Sequence, residues 1–294
     1  MTAWSQIGQF MVSGMTNGSI YALIAIGFSI IHNATGMVNF AQGEFVMLGG
    51  MMMITFYNFA GLSMPVAFVL SIISVALVGM LLERGPIRHS RSPSIVILVL
   101  ITIGASIFIK GLSMHIWGKS AMTLPPFAGE TPIRFLHAAI MPQSLFIFGI
   151  TILAVTLLHL FFGHTLVGRA MRASAANPLS AQLTGISASR MVMLSFMLSG
   201  GLGAMAGIMI APITTTSYDV GVMLGLKGFC AAILGGYGSM PGAVLGGILL
   251  GVLESLNAGL ISSEYKDAIA FLILILVLVF RPTGILGQRS IKRV

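Results

Sequence analysis

In a chain of 294 residues, 56% hydrophobic and 7% charged, with a mean hydropathy of +1.01, the charged content falls far below the roughly 25% of a soluble domain. That composition excludes a soluble globular enzyme and implies an integral membrane protein. The net charge of +8 does not point to nucleic acid, because the basic residues are spread over short loops rather than gathered on one face or tail.

A span takes about 20 apolar residues. On that measure the chain divides into runs at approximately 7–31, 36–58, 62–82, 94–109, 141–162, 191–212, 220–234, 242–260 and 268–280. They predict an all-α polytopic membrane fold with eight or nine transmembrane helices, some broken or re-entrant, in one transmembrane domain over 1–294. The count turns on 220–260, where a short run, a glycine break and a second run read as two spans or as a re-entrant pair. The first run has no basic n-region and no A-x-A-like cleavage site close behind it, so it reads as a retained span. Arg84, Arg88 and Arg91 lie in loop 83–93, Arg169, Arg172 and Arg190 in loop 163–190, and Arg281, Arg289, Lys292 and Arg293 in the tail. The positive-inside rule puts all of these segments in the cytoplasm. Nine crossings satisfy that placement and put the N-terminus outside, with 110–140 facing outward despite Lys110, Lys119 and Arg134.

The second run places Asn39, Gln42 and Glu44 beside Gly36 and Gly43 near its start. Helical spacing brings Asn39 and Gln42 onto one side. A carboxylate at the bilayer centre costs about 2.5 to 3.5 kcal/mol on insertion scales, so Glu44 is expected to face the protein interior or an interface. Two roles stand open for it: an interhelical clamp or helix-end cap, and direct lining of a pathway.

Loop 163–190 carries helix signals of its own. Asn177 is a good N-cap, Pro178 suits the first helical position and Gly185 can close the C-terminus, which defines about two turns. A short capped helix of this kind suits docking to a soluble partner, or lying on the membrane surface.

Lys227 sits inside an apolar run and needs water, a headgroup or a partner. Asp219 is too far N-terminal for an i to i+4 pair, which leaves Glu44 on another helix as an available partner. Beyond Lys227, the run meets Gly235, Gly236, Gly238, Pro241 and Gly242, which read as helix, break, helix. Non-helical backbone at membrane depth survives only where protein buries it or where it lines a watery cavity. The break therefore points to a pathway or a close helix interface, and the chain to a solute-moving protein. Gly203 and Gly207, Gly242 and Gly246, and Gly247 and Gly251 form GxxxG pairs that suit helix packing. Glu254 and Asn257 are expected to meet interfacial water or a neighbouring helix. Cys230 has no partner for an intrachain disulfide, and His159 and His164 read as loop-end residues. No P-loop, HExxH, GxSxG or metal cluster is present in the sequence, so no catalytic residue, metal site or bound nucleotide is assigned to this chain.

Five stretches, taken in order, carry a family resemblance: Gly18 to Gly27, Gly36 to Glu44, the loop from Gly168-Arg169-Ala170 to Gly185-Ile186, Leu226 to Phe229 with Leu234 to Ala243, and Ser263 to Asp267 with Arg281 to Gly287. Over nearly its whole length the chain resembles the LivH-type permease subunit of bacterial ABC importers for branched-chain amino acids. The resemblance implies a subunit of the inner membrane that pairs with a second, M-type permease, two cytoplasmic ATPases that hold ATP and Mg, and a periplasmic solute-binding protein. It implies an alternating-access pathway or gate at Asn39, Gln42, Glu44, Lys227, Gly235, Gly236 and Gly238. The ATPase-coupling segment would hold Arg172, Asn177, Pro178, Leu179, Ala181, Leu183 and Gly185. The chain departs from the family pattern at Ala176 and Asn177, where relatives commonly carry acidic residues, and at Gln42, where His is common. Within the same family, urea, short amides and other small carboxylates are alternative cargoes. A lone secondary transporter would instead use Glu44 and Lys227 as ion-coupling groups, and an intramembrane enzyme would need a nucleophile and base that no spacing here supplies.

Overall fold

The computed structural model describes residues 3–90, 94–129, 131–135 and 138–287; Arg91, Arg289, Lys292 and Arg293 lie outside the described residues. The helices are α1 (Ala3–Thr35), α2 (Gln42–Ile54), α3 (Met64–Leu82), α4 (Ile95–Trp117), α5 (Pro142–His164), α6 (Leu166–Ala176), α7 (Pro178–Leu183), α8 (Ala188–Ile210), α9 (Val220–Gly235), α10 (Met240–Leu260) and α11 (Lys266–Phe280). Turns of π-helix, Thr55–Phe59 and Glu83–Ile87, extend α2 and α3. A short antiparallel hairpin, β1 (Ile133–Phe135) and β2 (Ala138–Ile140), precedes α5 and pairs Ile133 with Ile140. Six helices among the described residues are long and apolar enough to cross a membrane, and α2, α9 and α11 add shorter apolar helices. The fold is a polytopic helical membrane bundle.

The apolar helices run alternately up and down, so their ends sort onto two faces. On one face the Asn33 side chain donates to the Gly238 carbonyl at 2.8 Å, and Leu286 N–H donates to the Gly235 carbonyl at 2.8 Å. On the opposite face Met122 and Thr216 exchange backbone hydrogen bonds at 2.8 Å, and Ala139 N–H reaches the Gln9 side chain at 2.9 Å. Arg84, Arg88, Arg169, Arg172, Arg190 and Arg281 all belong to the first face.

Small residues set the packing. A Cβ on Gly14 or Gly18 would overlap the α10 backbone at Val252 or Ile248, and one on Gly247 would overlap Ala22, so α1 and α10 run antiparallel with their backbones in contact. Gly203, Gly207 and Ala204 of α8 face Phe45, Val46 and Gly49 of α2, while Gly200 meets Val75 of α3. Thus α8 is wedged between α2 and α3. All three GxxxG pairs lie at helix interfaces. The outer helices carry the lipid-facing surface, with Val96, Leu100, Ile107 and Phe108 of α4 and Val279 and Phe280 of α11 exposed.

The α2/α8 contact yields a direct test. Replacing Gly207 by Val puts a side chain into the Val46 carbonyl, whereas Gly104 of α4 has open space around it. Gly207→Val is expected to destabilise the detergent-solubilised protein by about 3 kcal/mol or more, because backbone rather than a flexible side chain must move. Gly104→Val is expected to leave the melting temperature nearly unchanged, and thermal unfolding monitored by fluorescence checks both.

Candidate functional site

Between α1 and α2 the helix stops at Thr35, turns through Gly36 at φ +72° and restarts only at Gln42. The cost of irregular backbone inside the bundle is met by local side chains. Met37 N–H donates to Thr35 Oγ1 at 3.3 Å, Ala41 N–H to Asn39 Oδ1 at 3.1 Å, and Phe40 N–H to Thr102 Oγ1 of α4 at 3.1 Å. Asn39 therefore lies in the turn before α2 and not on its helical face, a correction to the spacing expected from sequence. Its reason is that Asn39 holds the N–H of Ala41 instead of continuing a helix.

Gln42 and Glu44, both almost wholly buried, go to different surroundings. Gln42 is locked in a junction of α1, α2 and α8: its Nε2 donates to the Ser199 carbonyl at 3.2 Å, and Ser199 Oγ lies 2.5 Å from Gln42 Oε1 and 2.9 Å from the Gly27 carbonyl. Glu44 instead borders a cavity of about 170 Å³ formed by α1, α2, α4 and α9. Its Oε1 accepts from Ser106 at 2.9 Å, and its Oε2 has no hydrogen-bond partner among the described residues. Thr102, Ser106 and Ser199 escape a sequence reading because lone hydroxyls in apolar helices give no local signal.

The structure does not bring Glu44 to Lys227. Lys227 Nζ lies 2.7 Å from Glu254 Oε1 and 2.6 Å from Asp267 Oδ1, and Tyr21 Oη donates to Glu254 Oε2 at 2.8 Å. One ammonium, two carboxylates and a phenol thus tie α9, α10, α11 and α1 together. Lys227 and Glu254 are 27 positions apart in sequence, and Tyr21 and Glu254 are 233 apart. Lys227 is buried rather than extended to a headgroup, and Glu254 meets a neighbouring helix rather than water.

The glycine break at 235–242 is a hairpin turn at the arginine-rich face. Gly235 packs against Gly242, and Gly246 against Ala231, an antiparallel pattern that makes α9 and α10 two separate helices. Gly236 (φ +110°) and Gly238 (φ +88°) take conformations that other residues rarely adopt, and Ser239 Oγ caps α10 by accepting from Gly242 N–H at 3.2 Å. Gly236 lies against Leu286 and Gly287, so the segment after α11 seals the turn.

The family model for the branched-chain amino acid transport system / permease component matches residues 10–278. The chain belongs to this family of permeases. It is 38% identical to the high-affinity branched-chain amino acid transport system permease protein BraD of Pseudomonas aeruginosa, and 36% identical to permease protein LivH of Escherichia coli, in each case over 97% of both chains. It is 30% identical to the probable branched-chain amino acid transport permease protein LivH of Methanocaldococcus jannaschii over 94% of this chain and 91% of that one.

On the arginine-rich face of the permease, the segment 172–186 is not one helix. It comprises the end of α6, a break at Asn177, and α7. Asn177 Oδ1 accepts from Ser180 N–H at 3.0 Å, Pro178 opens α7, and Gly185 (φ +85°) closes it while Ile186 N–H bonds the Ala181 carbonyl. Within 163–190, α6 lacks the opening proline and closing glycine that mark α7 in the sequence. Its weak signal is the stripe Gly168, Met171 and Ser174, which faces the bundle while Arg169 and Arg172 face outward. Ala181 anchors α7, and Leu179 and Leu183 stand 70% and 83% exposed on it.

The Lys227 cluster of the permease predicts a non-additive result. Lys227→Met leaves two carboxylates close together without a counter-charge and is expected to cost about 3 to 5 kcal/mol. Lys227→Met with Glu254→Gln keeps an acceptor for Tyr21 and is expected to recover part of that loss. Thermal melts of the two variants and of Glu254→Gln alone close the cycle.

Proposed function

We propose that this chain is the membrane-spanning permease subunit of an ABC importer, through which branched-chain amino acids delivered by a periplasmic solute-binding protein cross the bacterial inner membrane. The observation that carries the reading is the match to permeases named for high-affinity branched-chain amino acid transport over 97% of both chains. In this reading the chain is one translocation domain, it pairs with an M-type permease, and two ATPase subunits hold the ATP and Mg. No cofactor is assigned to the chain itself.

The arginine-rich face is then cytoplasmic, with the N-terminus outside and the C-terminus inside. Segment 163–190 couples the chain to the ATPases: α7 presents Leu179 and Leu183 to a groove on the partner, flanked by Arg172. Closure of the ATPase pair pushes α7, and the push passes through Ala181 and α6 to α8. Because α8 is wedged between α2 and α3, its movement reaches the 36–41 break, where a turn rather than a continuous helix can rearrange. The 236–239 turn, with Gly235, Gly236 and Gly238, supplies a second flexible point beside the end of α1.

Proteoliposomes holding this chain with its partner permease, ATPases and binding protein test the reading. Labelled leucine is expected to enter only with ATP and binding protein. Asn177→Arg removes the α7 cap, worth about 1 kcal/mol of local stability, and adds charge at the contact. It is expected to lower uptake at least fivefold. Uptake driven by an ion gradient without ATP would overturn the importer reading.

A further inference from the structure

Glu44 lies in the first turn of α2 and is 1% exposed, yet one of its two carboxylate oxygens has no partner among the described residues. A buried carboxylate at membrane depth is expensive unless something meets its charge. The nearest basic side chain does not do so by contact: Lys110, one helical turn from Ser106 on α4, holds its ammonium over the Tyr218 ring at 5.7 Å. The free oxygen faces the first turn of α9, since a Cβ added to Gly221 would lie 3.1 Å from Glu44 Oε2. Gly221 and Glu44 both border the cavity of about 170 Å³.

The remaining walls have a consistent chemistry. Phe28, Phe40 and Phe229 line one side, with ring centroids 5.7 Å apart for Phe28 and Phe229 and 6.1 Å apart for Phe40 and Phe229. Ile103 and Ile107 of α4 line another, where the cavity opens to the outer surface of α4. The third feature is the start of α9: the N-cap Asp219 carboxylate accepts from Ser217 Oγ instead of capping the helix, and Val220 N–H bonds the Ser217 carbonyl at 3.3 Å, so the N–H groups of Gly221 and Val222 are left uncapped by a side chain. Ser106 is the middle residue of the 23-residue α4, which puts the cavity near the centre of the membrane.

We propose that this cavity is a transient binding site for the zwitterionic head and aliphatic tail of the transported amino acid. Glu44 Oε2 takes the α-ammonium, aided by the faces of the phenylalanine rings. The α-carboxylate lies at the N-terminus of α9, where backbone N–H groups and the helix dipole favour an anion. The branched side chain rests on Ile103 and Ile107. The three glycines Gly43, Gly221 and Gly225 keep α2 and α9 in backbone contact, which holds the two ends of the site at a fixed spacing. The assignment rests on the importer reading above and adds the point at which the cargo is recognised inside the membrane.

The test uses photo-leucine, the diazirine analogue of leucine, carried by the fully assembled transporter in proteoliposomes. Illumination during ATP turnover is expected to leave adducts on peptides spanning 95–117 and 220–235. Glu44→Gln is expected to lower those adducts and leucine uptake at least tenfold, while the variant still co-purifies with its partner permease and ATPase subunits, which shows that the complex still assembles. Ile103→Trp, which fills the cavity while keeping Glu44 in the sequence, is expected to do the same. Adducts elsewhere, or unchanged uptake in Glu44→Gln, would overturn the site and leave the importer reading standing. Failure of the unaltered transporter to move leucine at all would overturn both.

Discussion

Backbone polar groups inside a bilayer have no water to turn to, and that constraint governs this molecule more than any single contact. Most of the chain satisfies it by being helical. The break at 36–41 is the exception, and there Thr35, Asn39 and Thr102 each accept one of the freed N–H groups. The same three residues therefore determine where α2 begins. Because α2 begins at Gln42, Glu44 falls in its first turn beside the cavity, and Gln42 reaches Ser199. A chain that kept α1 and α2 as one continuous rod would place neither group there.

Packing without a hydrophobic drive between helices is the second constraint, and glycine answers it. Lipid tails are as apolar as leucine, so helices gain by bringing backbones close rather than by burying oil from water. Gly14, Gly18, Gly247 and Gly251 do this between α1 and α10, and Gly203 and Gly207 between α8 and α2. The ion cluster of Lys227, Glu254, Asp267 and Tyr21 works differently: it binds four helices at one point through directional contacts. Dispersed close packing gives the bundle its shape, and the cluster fixes the register of α9, α10 and α11 against α1.

Local features were legible in the sequence and long-range pairings were not. The nine apolar runs correspond to α1, α2 with its π-helical turn, α3, α4, α5, α8, α9, α10 and α11, because hydropathy depends only on composition over a window. The Asn177, Pro178 and Gly185 signals of α7 were legible for the same reason, since a cap bonds residues three or four positions away. Lys227 announced that it needed a partner but not which one, because Glu254 and Asp267 reach it only after the helices pack. Gln42, read with Glu44 as a pathway residue, bonds Ser199 in a buried junction of three helices that no spacing rule reveals. The cavity at Glu44 was invisible for a similar reason, being made by four helices that are distant in the chain.

Helix α1 has 33 residues and is therefore about 50 Å long, against a hydrocarbon layer of about 30 Å. The excess is taken up by tilt or by ends that stand in the headgroups, and α1 is tied down near both ends: Gln9 to the β-hairpin on one face, Asn33 to the 236–239 turn on the other. Between those two points its backbone lies against α10. The two aqueous faces of the protein are therefore mechanically joined through α1 and the helix it packs on.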